Sequence, residues 1–150
     1  MAKFIFKMQN VLNIKLRLET QAKTEFAEAS ARLATEEQKL RELLSRKRFY
    51  EMEVVAMSEK GALNVTQLKI HNGSIKAMQD LIEQQTVVLR IAERNMDRAR
   101  EKLNEAMQER KVYEKLREKA FEEFKMEVNA EEKKEIDELV SFTYNDRDEE

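Results

Sequence analysis

A heptad repeat runs through the second half of the chain and limits what the chain can become. Leu68, His71, Ile75, Met78, Ile82, Gln85, Leu89, Ala92, Met96, Ala99, Leu103, Ala106, Arg110, Tyr113, Arg117, Ala120 and Phe124 step by three and four, and thirteen of these seventeen are apolar. Nearly everything between them is charged or amide. A stripe this narrow cannot serve an ordinary globular core; it is the seam of a coiled coil. The first half carries a similar stripe through Phe26, Ala29, Leu33, Glu36, Leu40, Leu43, Lys47, Tyr50, Val54 and Met57, with eight of ten positions apolar. Upstream, Phe4, Val11, Ile14, Leu18 and Ala22 continue this face. The consecutive four-residue steps Leu18–Ala22–Phe26 form a stutter, which is expected to unwind the supercoil locally.

Two seams in one chain need one reversal. The sequence has no proline and only two glycines, so few turns are available. In "SEKGALNVTQLK", Gly61 suits the position just past a helix end, and Asn64 with Gln67 fits the cap of the next helix. The alternative turn is "HNGS", Asn72–Ser74, but the heptad crosses Gly73 without a break. The expected architecture is all-α: a long antiparallel two-helix coiled-coil hairpin forming a single elongated unit. Helix 1 spans about residues 3–60, the turn 61–64, helix 2 about 65–143, and an acidic tail 144–150, whose last six residues are expected to be disordered. At ~1.5 Å per residue the helices would measure roughly 85 Å and 120 Å. The longer one would project, leaving Phe121, Phe124, Val128, Leu139, Val140 and Phe142 without a partner in the hairpin. Arg90–Glu93, Arg94–Asp97, Arg98–Glu101, Lys102–Glu105 and Lys111–Glu114 are spaced for ion pairs along helix 2.

Composition excludes several function classes. Charged residues make up 39% and hydrophobic residues 41%, the balance of a long solvated helix. Without cysteine there is no disulfide framework or thiolate metal site. A net charge of −2 argues against a dedicated nucleic-acid binder. No stretch approaches the ~18 apolar residues of a membrane span. The start, "MAKFIFKMQNVLNIKLRLE", places Lys3, Lys7, Lys15 and Arg17 before the first acid, Glu19. It reads either as the first turns of the long helix or as a basic amphipathic segment for an anionic membrane or a partner's groove. Lys7 and Lys15 interrupt the apolar centre a signal peptide would need.

Residues for catalysis are lacking. The one histidine, His71, falls on the seam, where a tolerated polar residue is expected rather than a base or ligand. Both glycines stand alone, so there is no phosphate loop, and acid pairs such as Glu36–Glu37 and Glu131–Glu132 read as solvated faces. No cofactor, metal or small-molecule substrate is expected. A two-helix hairpin buries one stripe per helix, so long helices of this kind complete their burial against another molecule.

The stretches "FIFKMQNVLNIKLRLE", "EEQKLRELLSRKRFYE", "IKAMQDLIEQQ" and "REKAFEEFKMEVNAEEKKEIDELVSF", taken in that order, resemble the flagellar export protein FliJ family of the flagellar type III secretion apparatus. The likeness covers nearly the whole chain and includes the "EIDEL" ending at Glu135–Leu139. It implies a non-enzymatic coiled coil similar to the rotor stalk of rotary ATPases. Such a stalk inserts into or caps the hexameric export ATPase ring, promotes its assembly and activity alongside the ATPase regulator, and contacts the export-gate membrane protein and export chaperones. Carried onto this chain, the ring-facing end implicates Phe4, Val11, Leu116, Phe121 and Phe124. The gate-facing surface implicates Leu43, Tyr50, Met78, Leu81 and Gln85, with Ser74 standing where the family can have an aromatic. The expected location is the cytoplasm, peripheral at the inner face of the cell membrane at the flagellar base. The isolated chain is expected to be a monomer that binds no nucleic acid. The competing readings are a hairpin-type holdase chaperone, gripping clients through a tip of Met57, Ala62, Leu63 and Val65, and a generic coiled-coil scaffold.

Overall fold

The computed structural model describes residues 2–61 and 64–148. The chain is all-α, a helical hairpin of two long helices packed against each other: α1, Gln9–Glu59, and α2, Val65–Asp148. Contacts divide it into two units, residues 2–20 with 105–148, and residues 21–104.

In the unit of residues 21–104, cross-helix contacts fix the antiparallel sense. Glu25 meets Lys102, Glu36 meets Gln85, and Glu53 meets His71, so the partner number falls as the α1 number rises. All ten α1 seam positions from Phe26 to Met57 are shielded from solvent, and Ala22 precedes them in phase. On α2 every seam position in this unit is shielded as well, from Leu68 to Leu103. The deepest apolar side chains are alanines: Ala22 at 7%, Ala92 at 6% and Ala99 at 9% exposure. A one-carbon side chain is covered only where the partner helix comes close, so these positions set the helix spacing.

The chain reverses beyond α1. Gly61 has φ +67°, the left-handed conformation that ends helices and favours glycine, and its amide bonds Ser58 O at 3.4 Å. Ala62 and Leu63 lie outside the described residues. Asn64 begins α2: its Oδ1 accepts from the Thr66 amide at 3.0 Å and its carbonyl from the Leu68 amide at 3.0 Å. Gly73 is an interior residue of α2.

The unit of residues 2–20 and 105–148 differs from expectation in three ways. First, α1 starts at Gln9, not near Lys3; residues 2–6 are non-helical. Phe4, Ile5 and Phe6 are poor helix formers, and a segment outside a helix can reach further per residue than a helix. It carries the Phe4 ring to within 5.1 Å of Phe121 and 5.5 Å of Phe124, two residues expected to lack a hairpin partner. Second, Ile14 and Leu18 are exposed at 53% and 43%, while Leu12, at 4%, and Glu19, at 5%, are buried, with Lys15 shielded between them. Counted along the sequence, Leu12, Lys15, Glu19, Ala22 and Phe26 alternate three and four, so the stutter does not exist. Glu19 tolerates the seam because the Arg110 guanidinium lies against it. Third, α2 continues to Asp148 rather than ending at Thr143. Thr143 Oγ1 donates to Leu139 O at 2.8 Å, and Arg147 sits in the last turn, where a cation complements the helix dipole.

The two glycines should respond in opposite ways. Gly61→Ala is expected to destabilise by about 1–2 kcal/mol, because alanine resists the left-handed conformation. Gly73→Ala is expected to stabilise by about 0.5–1 kcal/mol, since nothing lies within 4 Å of the added carbon. Urea unfolding followed by circular dichroism measures both.

Candidate functional site

Polar side chains interrupt the seam, and most of them are matched across it. In the unit of residues 21–104, Glu36 is 7% exposed among apolar neighbours. Gln85 Nε2 donates to its Oε2 at 2.6 Å and to its backbone carbonyl at 3.0 Å. Lys39 adds an ion pair at 3.4 Å. The Gln85 hydrogen bond, chiefly, holds the Glu36 carboxyl below its ordinary value against the opposing effect of burial. Nearer the turn, His71 Nδ1 lies 2.8 Å from Gln67 O and Nε2 lies 2.9 Å from Glu53 Oε2. Both are acceptors, so the ring satisfies both only as the imidazolium. The Gln67 carbonyl first and the Glu53 carboxylate second raise the His71 pKa above 6.5.

The other unit has its own polar set. Lys15 donates to Glu109 at 2.8 Å and lies 5.9 Å from the Tyr113 ring. Arg110 rests against Glu19 and donates from NH1 to Glu114 at 2.7 Å. The pairing expected along α2 is thus partly redirected: Glu114 takes Arg110, and Lys102 reaches across to Glu25 at 3.9 Å.

The residues implicated at the ring-facing end gather in this unit. Phe4, Phe121 and Phe124 form one aromatic cluster, with Phe121 and Phe124 stacked at 6.5 Å. Cations cover its rim: the Arg117 guanidinium lies 5.6 Å from the Phe4 ring and Lys125 Nζ 4.7 Å from the Phe121 ring. Arg117 is also tied to Gln9 at 3.0 Å. Beside the cluster is a groove of about 520 Å³ lined by Lys3–Met8 and, on α2, by Leu116, Ala120, Glu123, Phe124 and Glu127. Leu116 is 42% exposed, and Val11 is half-buried. Further along α2, Ile136, Leu139, Val140, Phe142 and Tyr144 are all at least 55% exposed.

The gate-facing set is less uniform. Leu43, Tyr50, Met78 and Gln85 are half-buried in the seam of the unit of residues 21–104, and only Leu81, at 41%, is exposed. Gln85 is committed to Glu36. Exposed apolar residues lie nearby instead: Leu44, Phe49, Met52 and Val55 on α1, and Val87, Val88 and Ile91 on α2. These lie off the seam, where counting only the seam positions passes over them. Extending the Phe26 heptad backward by strict threes and fours would have found Lys15 and Glu19. Of the tip residues of the holdase reading, Val65 is 64% exposed and Met57 half-buried, while Ala62 and Leu63 fall outside the described residues.

Among the described residues, no group of three or more His, Asp or Glu side chains is placed to hold a metal ion, and no helix is long and apolar enough to cross a membrane. Fold and surface together define an antiparallel helical hairpin with exposed apolar side chains outside a polar-studded seam. The family model described as Flagellar FliJ protein matches residues 4–149, and the chain belongs to that family. It is therefore a component of the flagellar export system, from a family without catalytic activity. No curated protein and no solved structure matches the chain.

His71 gives a pH signature. A pKa raised by folding means that protonated His71 contributes stability that is complete below 6.5 and lost as pH rises through the folded-state value. The melting temperature is expected to fall as pH rises above 6.5, and His71→Gln is expected to flatten that decline. Glu36 acts oppositely and in another window: its lowered pKa contributes stability above 4.5, lost as pH falls through the folded-state value. Replacing Gln85 by Leu leaves the Glu36 carboxylate with Lys39 alone and should lower the melting temperature. The double variant Glu36→Leu/Gln85→Leu should melt above either single variant.

Proposed function

We propose that this chain is the central stalk of the flagellar export ATPase. It promotes assembly and activity of the hexameric ring, together with the ATPase regulator, and connects the ring to the export gate and to export chaperones. It works as a monomer with no catalytic site of its own, in the cytoplasm and peripherally at the inner face of the membrane at the flagellar base. The observation that carries this reading is the aromatic cluster and groove in the unit that bears both termini. A partly uncovered aromatic cluster beside an open groove is what a gripping partner requires. Phe4, Val11, Leu116, Phe121 and Phe124 are the residues assigned to the ring. Leu81 and the half-buried Leu43, Tyr50, Met78 and Gln85 are assigned to the gate. The dense charges elsewhere suit contacts that exchange, because solvated ion pairs between rotating surfaces bind weakly and are screened by salt.

The test mixes the purified chain with its cognate ATPase and follows ATP hydrolysis and ring formation. Both are expected to rise. Phe121→Ala, at a residue exposed enough to leave the helix intact, is expected to raise the concentration for half-maximal stimulation by roughly tenfold. An ATPase whose rate and assembly are indifferent to the chain would contradict the stalk role.

A further inference from the structure

One flank of α2 repeats the heptad a second time. Ile70, Ala77, Leu81, Gln84, Val88 and Ile91 each lie one residue before a seam position. One residue turns an α-helix by about 100°, so these form a stripe beside the seam, also stepping by threes, fours and sevens. Unlike the seam it is open: Ile70 is 62% exposed, Leu81 41%, Val88 42% and Ile91 52%. Two adjacent heptad stripes on one helix make room for two partner helices. Only α1, on the first stripe, is present among the described residues of this unit.

The Lys102–Glu25 ion pair identifies the α1 edge that runs along the second stripe. Lys102 is on the same flank as Val88 and Leu81, at two and three heptads' distance. Stepping one heptad at a time from this contact, forward on α1 and backward on α2, sets Arg32 beside Asn95, Lys39 beside Val88, and Arg46 beside Leu81. The same step sets Glu53 beside Ser74, and Glu53 meets the seam residue His71, about one helical turn away, at 2.9 Å. This edge of α1 is therefore basic at its centre, with Arg32, Lys39 and Arg46 all exposed. The acids at its ends, Glu25 and Glu53, are engaged by Lys102 and His71. Lys39 reaches inward to Glu36, and Glu42 lies on the outer side of the edge.

We propose that this flank docks one further α-helix supplied by a partner protein. The helix is amphipathic: an apolar heptad edge covers Leu81, Val88 and Ile91, and acidic residues line the side lying against Arg32, Lys39 and Arg46. The stripe is a single heptad row, the footprint of a helix and too narrow for insertion into a membrane surface. A second copy of this chain, paired through the same flank about a two-fold axis, would set the basic edge against itself. Leu81 is shared with the residues assigned to the gate; the proposal rests on this flank and holds whichever partner the terminal aromatic cluster engages.

The test uses the full chain and two labelled synthetic helical peptides of four heptads. Both have leucine along the apolar edge; one has glutamate and the other lysine along the flank. Fluorescence anisotropy at low salt is expected to show saturable binding of the glutamate peptide, at least about tenfold tighter than the lysine peptide. Val88→Asp/Ile91→Asp is expected to abolish that binding while the helical circular-dichroism signal persists, because both residues are exposed. Lys39→Glu/Arg46→Glu is expected to reverse the preference between the peptides. Absence of saturable binding, equal binding of the two peptides, or binding untouched by Val88→Asp/Ile91→Asp would each overturn the proposal. So would sedimentation of the chain alone showing self-association that Val88→Asp removes, since the occupant would then be a second copy.

Discussion

Glu36, among apolar neighbours in the middle of the α1 seam, takes two hydrogen bonds from Gln85: one on its carboxylate and one on its carbonyl. An apolar seam of repeated Leu, Ile and Ala is tolerant of slipping by a heptad, because one leucine fits another's place. A buried carboxylate is not, because a slip would leave it without its donor. His71 with Glu53 and Arg110 with Glu19 impose the same condition elsewhere along the seam. The apolar residues therefore supply the attraction between the helices, and the polar ones choose the register. The second stripe on α2 and the basic edge of α1 lie side by side only in that register.

The hairpin is thinly buried. Among the described residues, Leu12, Ala22, Ala92 and Ala99 are the buried apolar ones, at 4–9% exposure, and most seam side chains are half-covered. Much apolar area is accordingly left outside the seam, in the Phe4–Phe121–Phe124 cluster and on the flank carrying Leu81, Val88 and Ile91. A chain that buries so little on its own holds contact surface in reserve for other molecules. Membership of the flagellar FliJ protein family implies interaction with components of the flagellar export system.

The second helix was legible in the sequence nearly position by position: from Leu68 to Phe124, only Arg117 among the heptad residues is exposed. The pattern worked there because apolar residues hold most seam positions and the heptad is unbroken. It failed near the start of α1 for a physical reason. Ile14 and Leu18 outweigh Lys15 and Glu19 in any count of apolar residues, yet the charged pair occupies the seam because Glu109 and Arg110 stand opposite. That match depends on residues roughly ninety positions away, and no local periodicity carries it. The same limit applies to function. The aromatic cluster was anticipated as a set of residues, but its assembly around a non-helical Phe4 segment was not, since low helix propensity at Phe4–Phe6 gains meaning only once α2 lies alongside. The gate-facing set drew on seam residues, and the exposed side chains beside them became visible only with the burial of each position.

The most direct check of the register is a distance measured inside one molecule. Spin labels at positions 32 and 95, in chains diluted with unlabelled protein to remove intermolecular signals, should give a single narrow distance distribution below about 30 Å, set by an interaxial spacing of about 10 Å plus the label arms. A broad distribution, or a separation approaching the ~95 Å of a continuous helix over the same interval, would contradict the folded-back register on which the rest of this account stands.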